Sequence, residues 1–192
     1  MIPLMNLTLR QPFAAWSVLR ARGLTAADGW ALIVATAALA AILSWLGAWL
    51  VPAAAEGAGL LGILVHRPFS MAAVQVVSAA LGAVLLSGVG RAFGGTGRLA
   101  DALVAIGWIE AVMIALQAAQ LVLSILLPPL GALFGIATLL LAAYLVVAFT
   151  MAVHGFRNPL LVVLGIVGTV MMTSFLLSLL AAMLGLLPEL PV

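Results

Sequence analysis

Five stretches of the chain are predominantly apolar for long enough to cross a bilayer. They run over about 30–51, 69–90, 101–127, 131–153 and 160–187. A helix needs roughly 20 such residues to span a hydrocarbon core of about 30 Å, and each stretch predicts one. Trp30 and Val51 bound the first, Pro68 opens the second, and Asp101 sits near the start of the third, where the helix dipole favours an acid. Pro128-Pro129 leaves room only for a tight turn, so the third and fourth helices form an antiparallel hairpin. A Gly-rich polar loop from Arg91 to Arg98 joins the second and third.

Residues 1–29 follow a different pattern. Pro12 can open a short helix running to about Arg22, with Phe13, Trp16 and Leu19 along one side. That pattern predicts an amphipathic helix in the membrane interface, Trp16 at headgroup level and Arg20 snorkelling outward. The expected fold class is therefore all-α: an integral membrane bundle of about five transmembrane helices with an N-terminal interfacial helix. Its divisions are an N-terminal segment (1–29), the transmembrane domain (30–187) and a short tail (188–192).

Composition agrees. Of 192 residues, 67% are hydrophobic and 6% charged, against about 25% charged in a soluble domain. Most of the exterior must therefore face lipid. All seven basic residues are arginine and they are scattered, which argues against nucleic acid. The lack of cysteine excludes disulfides, thiolate catalysis and iron–sulfur ligation. No signal peptide is expected: Ala53-Ala54-Ala55 resembles a cleavage site but reads better as a loop after an uncleaved first helix.

Charge also orients the chain. Arg10, Arg20, Arg22, Arg91, Arg98 and Arg157 fall on one side of the five spans, and Arg67 alone falls on the other. The positive-inside rule then predicts a cytoplasmic N-terminus and a C-terminus on the far side. Arginine without lysine, with heavy Ala and Leu use, suggests a GC-rich bacterium, and the expected location is its inner membrane.

Glu110 is the candidate for chemistry. It lies about nine residues, or about 12–14 Å, into the third helix, where a carboxyl costs a few kcal/mol unless it faces protein or water. Gln117 and Gln120 share its face. By depth, Tyr144 on the fourth helix is the expected partner of Glu110, and Gln75 on the second that of Gln120. Such contacts would act as interhelical glue of about 0.6–2 kcal/mol each, or else line a substrate or proton path. Leu103 and Ile106 close the arginine-rich end of that stripe. The small residues of Gly131-x-x-x-Gly135, and Ser174, Ser178 and Ala182, supply close-packing faces, internal or between copies.

Other chemistry is excluded. His66 and His154 fall on opposite membrane faces, read as solvated loop residues, and cannot chelate one metal together. Gly94-Gly95-Thr96-Gly97-Arg98 lacks the Gly-Lys-Ser/Thr of a P-loop and follows a membrane helix rather than a strand.

The loops carry a resemblance. Phe93-Gly94-Gly95-Thr96-Gly97 leads through Leu99 and Leu103 to Gly107-Trp108. Pro128-Pro129, His154-Gly155-Phe156 and the opening Leu9-Arg10-Gln11-Pro12 complete the pattern. With five spans, the chain resembles a small bacterial member of the Yip (Ypt-interacting protein) domain family over about 9–187. The resemblance implies a five-helix membrane fold; its eukaryotic members act in the early secretory pathway with Rab GTPases. The head here is only about 29 residues long, and no functional residue carries over.

The leading functional expectation is a non-enzymatic membrane scaffold or accessory protein, organising lipid or a partner complex. The alternative is a small transporter or channel around Glu110, Gln117 and Gln120. A co-purifying partner favours the first and a water-filled cavity reaching Glu110 the second. Expected partners are membrane lipids, another membrane protein or complex, or a second copy of the chain. No cofactor is expected.

Overall fold

The computed structural model describes residues 2–52 and 60–183. Ala53-Ala54-Ala55, the end of the fifth span and the 188–192 tail lie outside the described residues. Eight helices follow one another: α1 (Ile2–Arg10), α2 (Pro12–Ala21), α3 (Ala26–Leu50), α4 (Leu60–Val65), α5 (Pro68–Ala92), α6 (Leu99–Leu126), α7 (Pro128–His154) and α8 (Pro159–Met183). The five long ones, α3, α5, α6, α7 and α8, are each long and apolar enough to cross a membrane. They match the five predicted spans to within a few residues.

Local chemistry sets the ends. Thr25 and Asp28 form a reciprocal capping box at the start of α3, and Asp101 accepts the Arg98 N–H at the start of α6 (3.0 Å). Pro68, Pro128 and Pro159 occupy first helical positions, where a missing N–H costs nothing. Leu127 alone separates α6 from α7, so the predicted hairpin is present. α4 is an addition that its six residues were too short to announce.

Helix α6 is the axis of the bundle, packed by α3, α5 and α7, whereas α8 leans chiefly on α7. Burying apolar side chains against each other gains little over lipid, so close approach through small residues decides which helices pair. At the α3–α6 crossing, Gly29 lies against Leu103 and Gly107 against Leu32. A Cβ on either glycine would fall 2.8 Å from the facing Cβ. In the α6–α7 hairpin, Gly131 sits on Ser124 and Gly135 on Gln120, so that small-residue pair packs internally. Ser174, Ser178 and Ala182 on α8 stay exposed.

The N-terminal segment is two helices, broken where Gln11 leaves helical geometry before Pro12. Its inward face is Pro12, Ala15, Trp16 and Leu19, and Phe13 turns outward at 50% exposed. The i, i+3 reading chose the wrong edge: the buried stripe follows i, i+3, i+4, i+7. Nor is Trp16 an outward anchor, because its ring is buried edge-on to Phe149 of α7, centroids 6.2 Å apart. Helix α1 is pinned at fully buried Thr8, whose hydroxyl donates to the Leu4 carbonyl (2.8 Å) and accepts from the Trp108 indole (2.9 Å). Leu4, Trp16, Leu19, Trp108, Leu145 and Phe149 belong to one cluster, so the amphipathic head is part of the bundle.

Candidate functional site

Two places in this fold gather several polar groups away from water. The first is at the arginine-rich end, where α7 finishes. His154, expected in a solvated loop, is 3% exposed. Side chains on a helix lean toward its N-terminus, so a residue in the last turn folds back into the bundle instead of out of it. The His154 ring lies against Gly90, Gly95 and Gly97, and a Cβ on any of the three would collide with it.

The ring is fully satisfied. Its Nδ1 accepts the Gly97 N–H at 3.1 Å, and its Nε2 lies 2.9 Å from the Leu86 carbonyl oxygen. A carbonyl only accepts, so Nε2 carries the proton and the imidazole is the neutral Nε2–H tautomer. The His154 carbonyl accepts from Thr96 N–H (3.3 Å), Gly95 N–H reaches Gly90 O (2.9 Å), and the Phe156 ring stacks on the imidazole at 5.3 Å. Gly155 turns the chain at φ 75°, a conformation that favours glycine. One side chain thereby joins the end of α5, the α5–α6 loop and the end of α7. Sequence reasoning missed this junction; its signal was the unusual density of glycine at 90, 94, 95 and 97, facing a lone histidine 57 residues away.

The second place is a cavity of about 1100 Å³ running between α5 and α8, with the inner ends of α6 and α7 behind it. It exists because α8 packs chiefly on α7, leaving a gap between α8 and α5. Its walls are largely aliphatic. Leu161, Leu164 and Val170 form its rim, each more than half exposed, so it opens sideways toward the surrounding bilayer. Phe93, Phe156, Arg157 and Asn158 line it at the arginine-rich end.

The sequence-predicted site residues divide between these surroundings. Glu110 and Gln75 both line the cleft, joined by Ser78, Thr150 and Thr169. Gln117 donates instead to Ser44 of α3 (3.0 Å), and Gln120 packs on Gly135 of α7. Tyr144 is 50% exposed on the lipid-facing side of α7. Neither expected contact forms: no hydrogen bond joins Glu110 to Tyr144, or Gln75 to Gln120, among the described residues. Equal depth was the reason for pairing them, but depth says nothing of azimuth, and α6 meets a different neighbour on each side. Interhelical glue is present at Gln117. It is not what Glu110 does, since no hydrogen-bond partner meets its carboxyl among the described residues. Leu103 is buried against α3, and Ile106 lines the cleft beside Glu110.

Residues 7–185 match the Yip1 domain, nearly the whole chain. The chain belongs to the Yip1 domain family. No curated protein and no solved structure matches it significantly. The Yip1 match spans the His154 junction, the cleft and all five membrane helices together. Two of the motifs that carried the sequence resemblance meet at this junction: Gly95, Thr96 and Gly97 touch or bond His154, and Phe156 stacks on it. In this Yip1-domain protein those motifs are therefore accounted for by architecture. Among the described residues no group of three or more His, Cys, Asp or Glu could hold a metal.

Proposed function

We propose that this Yip1-domain protein is a non-enzymatic membrane protein that organises lipid, holding phospholipid in the lateral cleft between α5 and α8. The observation that carries the reading is the cleft itself: about 1100 Å³, mostly apolar, open sideways, with Arg157 at one end. Acyl chains projecting into the bilayer match the aliphatic rim of Leu161, Leu164 and Val170, and a guanidinium suits a headgroup phosphate. In this reading the arginine-rich end faces the cytoplasm of a bacterial inner membrane, an orientation that the charge bias supports.

Gentle extraction followed by native mass spectrometry tests it. Phospholipid retained at one or two molecules per chain, and lost in Gly165→Trp, supports it, because Gly165 lines the cleft and a Cβ there meets open space. A chain that sheds all lipid as readily as the variant contradicts it. A stoichiometric protein partner in the same preparation supports the broader scaffold role instead. Transport of a small solute is the second reading, favoured by the reach of the cleft to Glu110; Glu110→Gln abolishing a measured flux is its test.

A further inference from the structure

The cleft is not uniformly apolar, and its polar groups are placed along its length. Arg157 and Asn158 stand at the arginine-rich end, Thr150 follows, and Ser78, Gln75, Glu110 and Thr169 lie deeper. Counted along their helices from the His154 junction, these last four are about 15–23 Å in, at or just beyond the middle of a bilayer. The Thr150 and Thr169 hydroxyls donate to carbonyls of their own helices (2.7 Å each) and keep lone pairs free to accept. The side chains of Glu110, Ser78 and Gln75 have no hydrogen-bond partner among the described residues. Groups of this kind facing hydrocarbon cost several kcal/mol. Three of them in one open cleft call for a polar guest at mid-bilayer.

We propose that the cleft carries phospholipid headgroups between the two leaflets, without an energy source, while the acyl tails stay in the bilayer. The sideways opening distinguishes this from a pore: a solute needs an enclosed path, whereas a lipid needs a slot from which its tails can project. The polar groups suit an amine-bearing headgroup. Arg157 meets its phosphate at the mouth, Ser78 and Gln75 offer donors to that phosphate deeper in, and Glu110 takes the ammonium. No other ionisable residue lines the cleft at the depth of Glu110, so the ammonium is the missing counter-charge. The inference rests on the lipid-holding reading and adds movement to it.

The test is full-length protein in vesicles of phosphatidylethanolamine and phosphatidylglycerol, with acyl-labelled fluorescent phosphatidylethanolamine bleached by external dithionite. Wild type should bleach beyond the outer-leaflet half of the signal. Gly165→Trp and Gly82→Trp fill the cleft from glycines whose Cβ would meet nothing within 4 Å, so they should fold and slow the second phase about tenfold or more. Glu110→Leu should slow it similarly. Gly168→Trp, equally open but outside the cleft, should match wild type. Wild type stalling at half overturns the proposal, as does unchanged scrambling in both tryptophan cleft variants. Bleaching of a trapped water-soluble fluorophore at the same rate overturns it too, because the path is then an aqueous pore. Lipid retention without scrambling removes this inference alone; loss of retention removes the reading beneath it as well.

Discussion

His154 and Glu110 are both ionisable residues drawn in from water, and the fold treats them in opposite ways. His154 is enclosed: both ring nitrogens are bonded, an aromatic ring covers one face, and three glycines make room for it. Glu110 has no partner among the described residues and lies on the wall of an open cleft. The difference separates two kinds of buried polar group. A satisfied one fixes architecture, since each bond it makes in a low-dielectric site is expensive to lose. An unsatisfied one beside open space is a site for something else. The junction therefore explains how the arginine-rich end is held together, and the cleft is where function is sought.

This contrast can be broken by stability measurements, beginning with the largest effect. His154→Ala should cost about 3 kcal/mol or more, because it leaves a cavity and an orphaned Gly97 N–H. For a chain of this size that lowers the thermal midpoint in detergent by about 6–12 °C. Gly97→Ala should cost about 1–3 kcal/mol, since its Cβ would press on Val153 and on the His154 ring. Thr8→Val should cost about 1–2 kcal/mol by orphaning the Trp108 indole N–H, and the same melts would show it. Gln117→Leu, which removes the bond to Ser44, should cost about 0.6 kcal/mol. Glu110→Gln should change stability least, by less than about 0.5 kcal/mol, because no bond is there to lose. A Glu110→Gln variant as unstable as His154→Ala would collapse the distinction.

Much of the fold was legible because its signals are local. An apolar run of 20 residues, a proline at a helix start and a Pro-Pro turn each report on their own stretch of chain, so five spans and the α6–α7 hairpin could be read directly. The amphipathic head was legible as a helix but not in its facing, because Phe13 and Ala15 flank the same stripe and only packing on Phe149 selects between them. The junction was hidden for a different reason. Gly90, Gly95, Gly97 and His154 have meaning only together, and nothing local says that residues 57 apart will meet. Glu110 was found by its cost in hydrocarbon, a property of one residue. Its surroundings depended on how closely α8 approaches α5, which hydropathy does not encode.

The central claim, that the cleft around Glu110 is a polar path open to its surroundings, has a direct test because the chain contains no cysteine. Single cysteines at Ser78 and Val77 sit at the same depth, about 100° apart on α5. Ser78 lines the cleft, whereas Val77, 66% exposed, lies outside its lining and faces lipid. A cysteine thiolate, which forms only where water reaches the thiol, attacks a small hydrophilic thiosulfonate added to membranes, forming a mixed disulfide and releasing a sulfinate. The account predicts rapid modification of Ser78→Cys and none of Val77→Cys. Equal protection of both would mean that hydrocarbon fills the cleft, and would contradict the account.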